Sequence, residues 1–155
     1  EPIKISRLFI GEEHKHQIEK LYEYFQMPQG TYKKLKFNAM LFEKVRDFTE
    51  KRIHFQYLKP EDYGLDQANE SNFAAFQEFN EAYYTFIHEL TELQTAAIKL
   101  VIDNAQVGRL FIDGGFNAND IFVEMLRKKL PELTIIPSDF PNGSALGAAM
   151  LVSME

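Results

Sequence analysis

The residues most able to do chemistry lie in Arg109-Leu110-Phe111-Ile112-Asp113-Gly114-Gly115-Phe116-Asn117-Ala118-Asn119-Asp120. A short apolar run ends in paired glycines and passes directly into a helical pattern. Gly114 and Gly115 have no Cβ, so the main chain there can meet a ligand closely. Asn117 and Asn119 offer uncharged donors and acceptors beside it. In open α/β sheets, ligands sit beyond the carboxyl ends of the strands, which is where this turn falls. A second stretch, Asn142-Gly143-Ser144-Ala145-Leu146-Gly147-Ala148-Ala149-Met150-Leu151-Val152, opens a helix almost entirely with small residues. Two such helix starts after consecutive strands would lie side by side.

Other chemistries find little support. His14-Lys15-His16 suggests a metal, yet residues two apart on a helix point to different faces and no third ligand completes a set. His54 and His88 have no serine arranged as a nucleophile, so a hydrolytic triad is unsupported. With no cysteine, disulfides and thiolate chemistry are excluded, which fits a reducing cytosol. No Walker-type glycine loop occurs.

The elements that must position the glycine turn follow from periodicity. Leu110 to Ile112 reads as a parallel strand covered on both faces. Asn117 is expected to cap the next helix, with Asp120 three residues on, and Ile121, Phe122, Met125 and Leu126 form the helix's apolar face. Leu133 to Pro137 is a second strand, expected to run parallel to the first through a right-handed crossover. Upstream, Phe79, Tyr83, Phe86, Ile87, Leu90, Leu93, Ala97, Leu100 and Val101 mark a long amphipathic helix. Ile18, Leu21, Tyr22 and Phe25 give a helix over 14–25, broken by Met27-Pro28-Gln29-Gly30. Met40, Leu41, Val45 and Phe48 are the expected inward positions of a helix over 39–49. Ile3 to Ile10 reads as a strand stopped by Gly11, and 55–71 as a surface connection. Most of the 14 Phe and 7 Tyr fall on these inward stripes, so they are assigned to the core rather than to stacking platforms.

The run Phe111-Ile112-Asp113-Gly114-Gly115-Phe116-Asn117-Ala118-Asn119, followed by Ser144-Ala145-Leu146-Gly147-Ala148-Ala149, resembles the carboxyl-terminal nucleotide-binding domain of FGGY-family carbohydrate kinases. The close match covers about Arg109 to Val152. Phe116 departs from the family pattern, standing where a third glycine is common. The resemblance implies an α/β, ribonuclease H-like domain of the sugar kinase and actin superfamily, partial and with a helix-rich N-terminal half. Residues 1–155 would be most of the C-terminal ATP-binding domain, cut from something longer, with the catalytic N-terminal domain elsewhere. It further implies cofactor-binding positions at Gly114, Gly115, Asn117 and Asn119, with Ser144, Ala145 and Gly147 in support. ATP would be the cofactor, with Mg2+ held mainly by the other domain. A small ketose or sugar acid would be the substrate, with rhamnulose, fuculose, xylulose and gluconate all open. No catalytic residue is expected here, because the family's proton-accepting aspartate belongs to the other domain.

Asp113, Asp120 and Asp139 surround the proposed edge and would repel phosphates. The edge therefore suits the adenosine half of the nucleotide. A chain of 155 residues fits one domain. Its 17 basic and 23 acidic residues, net −6, argue against nucleic acid as a general partner. No stretch approaches the ~20 apolar residues that span a bilayer. A cytoplasmic location is expected, and a homo-oligomer is left open. The alternative reading is a non-catalytic interaction module that kept the fold and lost nucleotide binding.

Overall fold

The computed structural model describes residues 8–103 and 106–138. Four α-helices carry most of this part: α1 (Ile10–Phe25), α2 (Ala39–Arg46), α3 (Phe79–Ile102) and α4 (Asp120–Lys129). Two short strands, β1 (Arg109–Ile112) and β2 (Thr134–Pro137), pair in parallel. Single 3-10 turns occupy Thr31–Lys34, Pro60–Tyr63 and Phe73–Ala75. The architecture is thus a helix-rich α/β arrangement with a small parallel sheet.

The centre is α3. Helices α1, α2 and α4 all pack against it, and every residue from Glu81 to Thr91 is buried. The expected amphipathic helix is therefore, over this stretch, a helix without a solvent face, because neighbours enclose it on several sides. Several of its polar groups are satisfied locally or by the segments that cover it. Thr85 and Thr91 donate to the Glu81 and Ile87 carbonyls at 2.9 and 2.8 Å. The Glu89 carboxylate accepts from the Arg52 and Ile53 backbone N–H groups at 2.9 and 3.3 Å. The Tyr84 hydroxyl donates to the Lys36 carbonyl and accepts from the Asn38 N–H, both at 2.7 Å. Beyond Ile98 the helix leaves the core, and Leu100, expected inward, is 60 % exposed.

Helix α1 begins at Ile10, so the expected strand over 3–10 is corrected at its end: Gly11 lies inside a helix, and residues 1–7 fall outside the described part. Glu12 and Glu13 in the first turn suit the positive end of the helix dipole. The helix ends as expected before Pro28, with Gln26 in the left-handed region at φ 52° and Met27 N–H bonded to the Tyr22 carbonyl at 2.9 Å. Helix α2 is capped by Asn38, whose side chain accepts from Leu41 N–H at 3.0 Å. That cap sets the helical phase, so Phe42 and Val45 face α3 while Met40, expected inward, is 84 % exposed. The helix stops at Arg46, short of the expected Thr49.

The connection over 55–71 is irregular as expected, but it is not merely superficial. Phe55, Leu58 and Pro60 are buried, and Ile53 just before them is fully so. The fully buried Glu13 carboxylate takes the Gln56 and Tyr57 N–H groups at 3.1 and 2.7 Å. A side chain of α1 thereby supplies the acceptors that a sheet would otherwise provide.

Register pairs Arg109 with Thr134, Leu110 with Ile135, Phe111 with Ile136 and Ile112 with Pro137. Parallel pairing with α4 between the strands agrees with the sequence expectation. Coverage on both faces does not: among the described residues Ile112 and Ile135 are buried, whereas Phe111 is 64 % exposed. Side chains alternate across a strand, and α4, which contacts β2, covers one face only.

Candidate functional site

The turn between β1 and α4 is built from two successive reversals. Gly114 takes φ +86°, a conformation that L side chains rarely adopt. The Asn117 N–H then bonds to the Gly114 carbonyl at 3.2 Å, and the Asn119 N–H to the Phe116 carbonyl at 3.1 Å. These reversals consume residues 114–118, so α4 starts later than its sequence suggests. The cap is accordingly Asn119, not Asn117: the Asn119 Oδ1 accepts from Phe122 N–H at 3.1 Å. Asn117 instead donates its amide to the Ser138 carbonyl at the end of β2, tying the two loops at the sheet edge together.

Asp120 becomes the first residue of α4 rather than the far member of a capping box. Its carboxylate, at the positive helix end, accepts from Phe37 N–H at 2.9 Å. Asp113 accepts from the Gly114 N–H at 2.8 Å. The two described carboxylates of the edge are therefore engaged with backbone donors.

Phe116 has a structural reason. It is buried, with its ring 4.6 Å from Phe122 and 5.2 Å from His14 between centroids. It fastens the turn to the core, which a glycine could not do. His14 is the next link. Its Nε2 lies 3.0 Å from the Tyr83 hydroxyl, and the same hydroxyl accepts from the Asn119 amide at 2.8 Å. Burial lowers the His14 pKa to about 4 and raises that of Tyr83, so both are neutral at pH 7. The chain His14, Tyr83, Asn119 connects α1, α3 and the cap of α4 through uncharged groups.

Gly115 opens to solvent on two sides. One cleft of about 520 Å³ is bordered by Tyr32, Lys33, Lys36, Ala118, Asn119 and Asp120. Another of about 350 Å³ lies against Ile10, Ile98, Leu110, Phe111 and Phe122. A Cβ built on Gly115 meets nothing within 4 Å, and the positive φ belongs to Gly114 alone of the pair.

Of the sequence-predicted positions, Gly114, Gly115, Asn117 and Asn119 share this one turn. Ser144, Ala145 and Gly147, with Asp139 and the small-residue helix, lie outside the described residues. Sequence reasoning missed Tyr32 and Lys33, from a short 3-10 turn, and Lys36, two residues beyond it, a stretch with no periodic signal. Among the described residues no group of three or more His, Cys, Asp or Glu is placed to hold a metal ion, and no helix is long and apolar enough to cross a membrane. No family model matches the chain, and neither a curated protein nor a solved structure matches it.

Proposed function

We propose that the chain is the nucleotide-side domain of an ATP-dependent carbohydrate kinase with a ribonuclease H-like fold, acting in the cytoplasm on a hydroxyl of a small ketose or sugar acid. The observation that carries this reading is the unit β1, glycine turn, α4, β2. Parallel strands joined through a helix place Gly114 and Gly115 at a strand's carboxyl end, against an open cleft, where nucleotides are commonly held. The FGGY-like spacing of the sequence motifs supplies the identity of the ligand.

In this reading the adenosine half lies along Gly115, where the absence of a side chain lets the main chain approach it. Tyr32 offers a ring face for stacking. Lys33 and Lys36 offset the charge of Asp120 at the cleft. Phosphoryl transfer additionally needs phosphate loops, Mg2+ and a residue that orients the attacking hydroxyl. These belong to the other domain, so this chain by itself transfers no phosphate.

The second reading, an interaction module without nucleotide binding, is favoured by one observation. Both Asn119 side-chain atoms already hold structural bonds, Oδ1 in the helix cap and Nδ2 to Tyr83, which leaves one N–H and one lone pair for a ligand. Calorimetric titration of the chain with ATP, ADP and adenosine separates the two. Saturable heats that disappear in Gly115→Val support the kinase reading, and their absence, both here and in a longer chain that includes the upstream domain, supports the module.

A further inference from the structure

A separate cleft of about 690 Å³ lies at the other end of α4, between α2, α3 and the last turn of α4. Its volume is in the range of small-molecule sites. Helix α4 rises about 15 Å over its ten residues, so this cleft is well removed from Gly115. Arg46, Lys99, Lys128 and Lys129 line it, against two carboxylates, Glu43 and Glu92. The carboxylates are already paired, Glu43 with Arg46 and Glu92 with Lys51. Among the described residues neither Lys99 nor Lys128 is in an ion pair. In a chain of net charge −6, this is a local excess of cations around a concave surface.

The wall formed by α3 carries a second, independent signal. Thr85 and Thr91 return their hydroxyls to carbonyls one turn back, the usual arrangement within a helix. Thr95 also lines the cleft, is 8 % exposed, and its hydroxyl has no hydrogen-bond partner. An unmet buried hydroxyl is costly, and one χ1 rotation exchanges its place with the methyl group beside it. Lys129 donates to the His88 carbonyl at 2.6 Å and to Thr91 Oγ1 at 2.9 Å, which leaves one of its three N–H groups for another acceptor. Burial brings its pKa down to about 7, so an anion beside it would restore its charge.

We propose that this cleft binds a small organic phosphate, with Lys99, Lys128 and Lys129 on the phosphate oxygens and Thr95 donating to the ligand. A tetrahedral group with several acceptor oxygens suits converging ammonium groups, and the apolar wall of Phe42, Leu65 and Ala96 suits a carbon skeleton. The site is independent of the nucleotide reading.

The test is an NMR titration of the chain with glycerol 3-phosphate, with inorganic phosphate and glycerol as comparison probes. Saturable shifts of the Thr95, Ala96 and Lys129 amides with glycerol 3-phosphate, weaker with inorganic phosphate and absent with glycerol, are expected. Lys99→Gln and Lys128→Gln, both at exposed positions, should each weaken binding by roughly three- to tenfold. Thr95→Val should weaken it severalfold while the protein melts no lower, since it removes an unsatisfied hydroxyl. Gly115→Val should leave it unchanged. No saturable shift at these amides, or binding indifferent to Thr95→Val and both lysine changes, overturns the proposal. Loss of binding in Gly115→Val assigns the phosphate to the glycine turn and overturns it equally, leaving the nucleotide reading intact.

Discussion

The Asn119 amide donates to the Tyr83 hydroxyl at 2.8 Å, so the residue that caps α4 is also the residue that fastens the glycine turn to the central helix. Removing it does two things at once. Asn119→Ala should cost the cap, about 1 kcal/mol, and leave the buried hydroxyl with one partner fewer, a further ~1 kcal/mol. A double-mutant cycle with Tyr83→Phe, read by urea unfolding, isolates the second part as a coupling energy of about 0.5 kcal/mol or more. A coupling near zero would mean that the contact contributes nothing. A fall in ATP affinity in Asn119→Ala is consequently no proof of a nucleoside contact, because the turn itself loosens.

The paired glycines should behave differently. Gly114→Ala places a side chain at φ +86° and should cost roughly 1–2 kcal/mol of stability. Gly115→Ala meets nothing within 4 Å and should melt within about 2 °C of the parent, the shift expected of no more than ~0.5 kcal/mol in a chain of this size. Equal melting losses for the two would refute this division of roles. On the nucleotide reading proposed above, ATP affinity should respond to Gly115→Val without any loss of fold.

His14 predicts an acid-sensitive fold. Its pKa falls from 6.5 to about 4 on folding, through burial. Between those values the unfolded chain binds more protons than the folded one, so stability rises with pH across that window and is lost as pH drops from 6.5 towards 4. The contribution is about 3 kcal/mol. His88, also lowered to about 4 by burial and then by Lys129, acts in the same direction. Glu89, raised to about 7 by burial, opposes them, because between about 4.5 and 7 the folded chain holds the extra proton. Unfolding free energies at several pH values should therefore show a net slope near one proton, reduced to about zero in His14→Gln. An unchanged slope would show that His14 is not the titrating group.

Much of this organisation was legible in the sequence, and the reasons for the misses are local. The glycines announced the turn, and the apolar spacing of Ile121, Phe122, Met125 and Leu126 gave α4 its inward face correctly. The cap was misplaced by two residues because Asn117 and Asn119 are chemically equivalent as caps, and only the hydrogen bonds of the turn decide between them. Met40 reads as a core residue by hydrophobicity, but the helix that begins at the Asn38 cap turns it outward, 84 % exposed. Lys33 and Lys36 reach the cleft from some eighty residues away along the chain, a proximity no local pattern encodes. The Glu13 contacts with Gln56 and Tyr57 escaped for the same reason.

Those contacts give the last prediction. Glu13→Ala strips acceptors from the Gln56 and Tyr57 N–H groups and from the Gln17 amide, and should cost roughly 3 kcal/mol. Chymotrypsin should then cut sooner after Tyr57, which is exposed. Glu12→Ala, at an exposed position of the same turn of α1, is the comparison and should change neither stability nor cutting. Identical cleavage rates in both variants would show that Glu13 does not hold this loop.

The enclosure of α3 also bears on whether this protein can be divided. In chain order, helices come before Asp103 and a strand-helix-strand unit after Gly108, which would look like a seam. The seam is only apparent, because the apolar side of α4 rests on α3. A polypeptide ending near residue 103 would bare the surface that Phe122, Met125 and Leu126 cover, and one beginning near 106 would have no partner for those side chains. Neither piece should be soluble alone. Co-expressed, the two should reassemble into one particle, with α3 serving as the shared interface of both.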